Sequence, residues 1–406
     1  MREARVPAAL VERLSTLQSE GFTAWIRAKA EDRWDLFAPV LQQLLDASIE
    51  RARAIDPVGH PYDTLLQEFD PGTTVASLQA MFTRLQAGLT GLLRAIAARP
   101  ALPERPIALA SARQLPLHRE VTAALGYDYA AGRLDFAEHP FSITLGTGDV
   151  RITTHLHDDD LLGGLSGSVH EAGHALYEQG LPRDKVGWGV ENAASMGLHE
   201  SQSRFWENWI GRSRPFLGWL ATRLTVHAPE LGAETDALYA EANRVKPGLI
   251  RIYADEVTYN LHIVVRFELE LALFEGRLAV ADLPAAWRAK YEEYLGVSPA
   301  TDREGVLQDV HWSGAAFGYF PSYTLGNLYA ASLARAIETA VPDLWTAVGE
   351  GRFAPVLAWL RENVHRHGHT WDAPELVARA VGERDAVADL LDHLWARHGA
   401  LYGATR

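Results

Sequence analysis

Apolar residues recur every three or four positions along most of the chain, the spacing of an amphipathic helix. Leu10, Leu14, Leu17, Phe22 and Trp25 place one such face on residues 8–29, and residues 32–55 repeat it. Asp56-Pro57 and Gly59 end the second run. Pro71-Gly72-Thr73-Thr74 reads as a turn, with Thr74 capping a helix that begins near Val75 and runs through Leu92 toward Ala98. Prolines between Arg99 and Pro106 mark a connector, followed by a helix over 116–125 and a shorter one near Tyr127. Residues 141–157 break the pattern with two short β-rich runs, FSITLG and DVRITTHL, separated by Thr147-Gly148, which predict a small hairpin or strand pair. Beyond Asp158-Asp159-Asp160 the helical spacing returns and holds nearly to the end, interrupted at Pro182, Pro215, Pro247-Gly248, Pro284, Pro299 and Pro321. The expected fold class is mainly α with a small sheet. Neither a short-period repeat nor a low-complexity linker divides it. The simplest organisation is one body over 1–406, with 1–110 as a helical lid or flank.

Composition narrows the function. The chain has 406 residues, 48% of them hydrophobic, enough for a large core. The 38 basic and 52 acidic residues give a formal net charge of -14, which argues against a nucleic-acid partner, since phosphate binding wants a cationic field. The absence of cysteine excludes disulfides, thiol nucleophiles and thiolate metal sites, so any metal must be held by His, Asp or Glu. The first residues carry no apolar run of signal-peptide type, and no run of about 18 apolar residues occurs. A cytoplasmic protein without a membrane partner is the expectation.

The chemistry centres on His170-Glu171-Ala172-Gly173-His174. On a helix, positions four apart share one face, so the two imidazoles can bind a single divalent ion. Glu171, one residue from His170, is placed to hold a water and accept its proton. Gly173 weakens the helix but leaves room for a close backbone or substrate approach. A catalytic site of this kind keeps three protein ligands and one open position. Glu200, in the helical segment MGLHESQSRFWENW, is the leading third ligand, with Glu178, Glu191, His199 and Glu207 as competitors. Ligating histidines also need orienting acceptors, for which Asp309 is one candidate.

Two further regions bear on a peptide substrate. His139-Pro140-Phe141 precedes the β runs, and His155 and His157 end them; a strand beside a metal helix can hold an extended peptide, although His155 and His157 read as surface or outer residues. GVLQDVHW at 305–312, followed by SGAAFGYFPSYTLGN, gathers Gln308, Asp309, His311, Tyr319 and Tyr323. Neutral His and Tyr suit oxyanion stabilisation.

With these landmarks in order, the chain resembles the M32 metallocarboxypeptidases, the family of the thermostable carboxypeptidase Taq. The residues that carry the likeness are His139-Pro140-Phe141, the 170–174 segment, His199-Glu200-Ser201, Ile250-Arg251-Ile252-Tyr253-Ala254-Asp255, GVLQDVHW at 305–312 and HPYDTLLQEFDPGTT at 60–74. The active-site motifs thus fall within 139–327. The resemblance implies an elongated helical peptidase with a substrate groove and the small sheet beside the zinc helix. It implies a cytoplasmic homodimer that releases single amino acids with broad specificity from peptides bearing a free C-terminus. Carried over by position, His170, His174 and Glu200 become the ligands of one divalent ion, zinc by preference with Co²⁺ or Mn²⁺ as substitutes. Glu171 becomes the general base, Arg251 and His139 substrate-binding residues, and His311, Tyr319 and Tyr323 the catalytic donors. His139 and Asp255 also read as outer or structural residues. The family carries a longer N-terminal segment, so a short form is expected. A helical zinc oligopeptidase or dipeptidyl carboxypeptidase is the nearest alternative. A noncatalytic peptide-binding protein is a more distant one, against which an intact Glu171 argues.

Overall fold

The computed structural model describes residues 3–146, 148–232 and 234–406; Thr147, expected between the β runs, lies outside them, as do Met1, Arg2 and Ala233. The apolar spacing becomes helices α1 (Ala8–Glu31), α2 (Trp34–Ile55), α3 (Pro61–Phe69), α4 (Val75–Ala97) and α5 (Ser111–Leu125). Strands β1 (Leu134–Phe136), β2 (Ser142–Gly146) and β3 (Asp149–Thr154) follow. Next come α6 (Leu161–Gly180), α7 (Met196–Arg204), α8 (Arg214–His227) and α9 (Thr235–Ala242). After α10 (Tyr259–Phe274), α11 (Leu283–Leu295) and α12 (Pro321–Ala340), shorter helices complete the chain. Among the described residues no helix is long and apolar enough to cross a membrane.

The helix ends have local causes. Asp56 closes α2, its carboxylate accepting the backbone N–H groups of Val58 and Gly59. Thr74 caps α4 as the spacing predicts: its hydroxyl accepts the Ser77 N–H at 3.2 Å, and Ser77 Oγ accepts the Thr74 N–H at 3.0 Å. Three expectations change. The buried face of α1 continues through Gly21 and Ala28, while Phe22 is 49% exposed. α5 begins at Ser111 rather than Pro116, because Asp158 accepts both the backbone N–H and the hydroxyl of Ser111 and so starts the helix earlier. The strand pair is a three-stranded sheet of order β1-β3-β2, with β1 parallel and β2 antiparallel to β3.

The chain divides into two compact units, each assembled from two separate stretches. One combines the chain up to Arg94 with Val245–Thr324; the other combines Ala95–Arg244 with Leu325–Arg406. In the first, α1 supports the segment around 305–314. Trp25 Nε1 donates to Leu307 O at 3.0 Å, Lys29 Nζ to Gln308 O at 2.9 Å, and Gln18 Nε2 to Gly314 O at 3.0 Å. In the second, the sheet lies beside α6, joined through Ser168 Oγ donating to Thr154 Oγ1 at 2.7 Å. A core of Tyr177, Leu198, Leu333, Val364 and Leu376 backs α6 and α7.

Candidate functional site

Asp160 caps α6 by accepting the Gly163 N–H at 2.9 Å, which sets the phase of the helix. His170 and His174 then stand one turn apart on the same face, ring centroids 4.9 Å apart. α7, capped by Ser195, presents Glu200 to both. Glu200 Oε2 lies 3.6 Å from His170 Nε2 and 3.3 Å from His174 Nε2, and the donor atoms of all three residues fall within 4.8 Å of one another. Tetrahedral ligands about 2.0–2.1 Å from a zinc ion stand about 3.4 Å apart, so the three donors fit one small divalent ion.

The approach of the two helices depends on glycine. A Cβ on Gly173 would lie 2.6 Å from Ser203 Cα and 2.7 Å from Gln202 O, both main-chain atoms of α7. The room expected at Gly173 is therefore taken by the neighbouring backbone. From the other side, a Cβ on Gly326 of α12 would lie 2.6 Å from Glu200 Cγ. Gly173→Ala should gain up to ~1 kcal/mol of helix propensity but meet an overpacking cost of roughly 1–3 kcal/mol. We expect a lower melting temperature and, because α7 must shift, at least about tenfold weaker metal affinity, read by thermal unfolding and metal titration. Gly167→Ala on the same helix meets only Pro140 Cγ at 3.7 Å and serves as the control.

Surrounding groups hold the two imidazoles in place. His170 Nδ1 lies 2.8 Å from Glu207 Oε2, and His174 Nδ1 lies 3.1 Å from the His199 carbonyl and 2.6 Å from His199 Nδ1. With Nδ1 held this way, each Nε2 is left to bind metal. His199 Nε2 in turn contacts Glu178 at 2.9 Å, and Glu178 accepts the Thr144 hydroxyl of β2 at 2.9 Å. Arg204 ties Glu200 to Glu207, with Nε 2.6 Å from Glu200 Oε1 and an Nη 3.2 Å from Glu207 Oε2. Glu207 sits in the wider π turn Phe205–Ile210 that continues α7. The four competitors for the third ligand thus lie elsewhere. Glu207 and His199 orient the histidines, Glu178 holds His199, and Glu191 accepts the Gly187 N–H.

Electrostatics separates the two imidazoles. Burial pulls His170 down, but Glu200 and Glu207 outweigh it and hold it at about 9. His174 falls to about 4, through burial and the neighbouring His199 imidazole, with Glu200 alone opposing. Burial pushes Glu200 up, yet Arg204 and His170 keep it well below the usual carboxylate range. Glu171 differs. Burial raises it to about 7, and its carboxylate makes no hydrogen bond to another described residue. A desolvated carboxylate raised in this way has the basicity to exchange a proton with water near neutral pH.

The remaining sequence candidates divide by unit. In the second unit His139 is exposed; its neighbour Pro140 packs toward Gly167. His155 and His157 lie ring to ring at 4.6 Å, with His155 Nδ1 3.1 Å from Ala137 O. Arg251, Asp309, His311, Tyr319 and Tyr323 belong to the first unit. Arg251 is 6% exposed. Its Nε and one Nη contact Asp309 Oδ1 at 3.0 and 2.8 Å, and its other Nη donates to Tyr259 Oη at 3.2 Å. Five N–H donors less these three leave one hydrogen on each Nη. Asp309 does not orient a metal ligand; its Oδ2 takes Arg266 at 2.5 and 2.7 Å. Asp255 holds the turn that leads into α10, accepting the Val257 and Thr258 N–H groups. His311 Nε2 lies 3.1 Å from Tyr323 Oη, and burial lowers its pKa to about 4, so the imidazole is neutral near pH 7. Tyr319 stacks edge-on against Phe69 at 5.0 Å.

The comparisons agree with one another. A family model described as carboxypeptidase Taq (M32) metallopeptidase matches residues 1–398. "Thermostable carboxypeptidase 1" of Thermus thermophilus is 42% identical, covering 99% of this chain and 81% of that protein. "Carboxypeptidase 1" of Bacillus subtilis is 39% identical, covering 98% and 80%. The crystal structure of an M32 carboxypeptidase from Deinococcus radiodurans R1 superposes with a TM-score of 0.95 at 39% identity, covering 98% of this chain and 82% of that one.

Proposed function

Because the chain belongs to the carboxypeptidase Taq (M32) metallopeptidases, and is therefore a metal-dependent carboxypeptidase, we propose that His170, His174 and Glu200 hold its divalent ion and that Glu171 is its general base. The observation that carries this is the convergence of three donors at ion-binding distance beside a buried carboxylate that makes no hydrogen bond to another described residue. When bound, such an ion supplies Lewis acidity, making water a better nucleophile and polarising a carbonyl. Two imidazoles and one carboxylate suit zinc, with cobalt and manganese as competitors. The resemblance also supports a cytoplasmic homodimer, which light scattering of the purified chain would test.

Glu171 takes the proton of the attacking water and passes it to the leaving amine. Arg251 receives the substrate's terminal carboxylate through its two remaining Nη hydrogens. His311, neutral at the working pH, and a tyrosine hydroxyl donate to the oxygen of the tetrahedral intermediate. Tyr323 touches His311 directly, and this favours it over Tyr319 as that donor. His139, exposed in the loop before β2, is available to the peptide rather than to the ion.

The test is time-resolved mass spectrometry of an unblocked mixed-sequence peptide with the metal-loaded protein. Successive loss of single C-terminal residues is expected, and the relative rates report the breadth of specificity. Internal fragments or dipeptide steps would point to the oligopeptidase alternative. Arg251→Ala should lower catalytic efficiency on free-carboxylate peptides by about 100-fold, the scale of a charge-assisted contact, and leave metal content unchanged. Asp309 keeps Arg266 in that variant, so no carboxylate is orphaned. Unchanged efficiency would remove Arg251 from substrate binding.

A further inference from the structure

Glu270 on α10 lies in no motif of the sequence reading, yet it is 0% exposed and fully hydrogen-bonded. Its Oε1 accepts the Trp312 indole N–H at 2.6 Å. Its Oε2 accepts the Gly318 backbone N–H at 3.0 Å and the Tyr62 hydroxyl at 2.6 Å. Trp312 and Gly318 bracket the turn that begins at His311 and delivers Tyr319. One carboxylate therefore anchors both ends of the turn, one end through each oxygen.

The turn needs such an anchor. His311–Gly314 is a 3₁₀ turn, Ala315 takes φ 57° and Gly318 φ 87°. A non-glycine residue held at positive φ costs about 1 kcal/mol or more and persists only where its surroundings dictate it. α1 closes the other side so tightly that a Cβ on Gly21 would lie 2.6 Å from Ser313 O. Holding a turn with a buried carboxylate is expensive, because apolar packing of equal volume is often as stable or more so. The expense is visible in Glu270 itself, whose carboxyl burial raises to about 7 despite its three donors and the nearby Arg266. The indole and the amide can only donate, so each needs an acceptor oxygen of Glu270.

We propose that Glu270 is a positioning residue for catalysis, fixing His311 where it meets the substrate by clamping the Trp312 and Gly318 ends of the turn that His311 begins. The proposal rests on the reading of His311 as a transition-state donor. Glu270→Gln keeps the shape but turns one acceptor oxygen into a donor facing either the indole or the amide. The experiment measures kcat, KM and metal content for the full chain, metal-loaded, as Glu270→Gln, as His311→Ala and as both together. Glu270→Gln is expected to lower kcat about 100-fold, the scale of a misplaced catalytic group, with metal content unchanged and KM altered less than about threefold. The double variant is expected to be no slower than His311→Ala alone, a coupling that general loosening of the fold would not produce. Additive losses overturn the proposal, as does near-normal turnover of Glu270→Gln beside an impaired His311→Ala. Normal turnover of His311→Ala would instead sink the donor reading itself. If Glu270→Gln does not fold, Trp312→Phe, which removes one of the two anchors, is put through the same cycle with the same criteria.

Discussion

Glu171→Gln is expected to reduce turnover by about 10³-fold or more, ~4 kcal/mol of barrier, and to leave metal content unchanged. The substitution keeps volume and helix propensity and removes only basicity. Glu171 makes no hydrogen bond to another described residue, so its loss breaks no internal pair and should not unfold α6. Its carboxyl, raised by burial to about 7, lies where proton acceptance from water and return to an amine are both accessible. Single-turnover hydrolysis and metal analysis on the same preparation separate the two effects. Turnover within tenfold of the parent chain would show that another group takes the proton.

The second large effect falls on the metal. Glu200→Ala should weaken affinity by more than about 100-fold, beyond the roughly 10- to 100-fold expected when an orienting partner such as Glu207 is changed to Gln. The reason lies in the geometry: Glu200 reaches both Nε2 atoms, whereas Glu207 reaches only the outer nitrogen of His170. Glu200→Ala also takes one carboxylate partner from the buried Arg204 guanidinium, and one-sided loss of a buried ion pair costs about 3–5 kcal/mol. Glu200→Gln, which keeps the volume, isolates the affinity effect from that loss of stability. Competition with a chromophoric chelator gives the ranking. Full occupancy in Glu200→Ala with loss in Glu207→Gln would exchange the two roles.

The regular helices and the 170–174 pair were legible in the sequence because both depend on local spacing. α1, α2 and α4 follow their apolar positions closely, and Thr74 caps where its residue type suggests. The misreadings are tertiary. Phe22 has the right spacing and apolarity, but α1 crosses its support at Gly21, where only a residue without a side chain fits. β1 spans three residues, Leu134–Phe136, too few to show alternation, and exists because β3 offers it a parallel edge. Pro116 looked like a start because proline favours first turns, yet Asp158, forty-odd positions on, caps Ser111 (|i−j| 47). The choice among Glu178, Glu191, His199, Glu200 and Glu207 could not be made from spacing, since it depends on how α7 crosses α6. One signal was present: Glu200, Arg204 and Glu207 fall at i, i+4 and i+7, a charged stripe on one helical face. Glu270 carried no signal at all, because an acid in a largely apolar helix, two residues after Glu268, shows its partners only after α3 and the 312–318 turn have closed around it.

The contact at Gly173 changes what the metal-binding pattern means as a piece of information. Written as two histidines and a glutamate with two open letters, it admits any residue before the second histidine. In this chain that letter is not open, because the main chain of α7 occupies the space a side chain would need. The pattern therefore has four fixed letters here. A search that leaves the fourth free will collect helices able to display both imidazoles but unable to let the carboxylate that completes the set come close enough to join them.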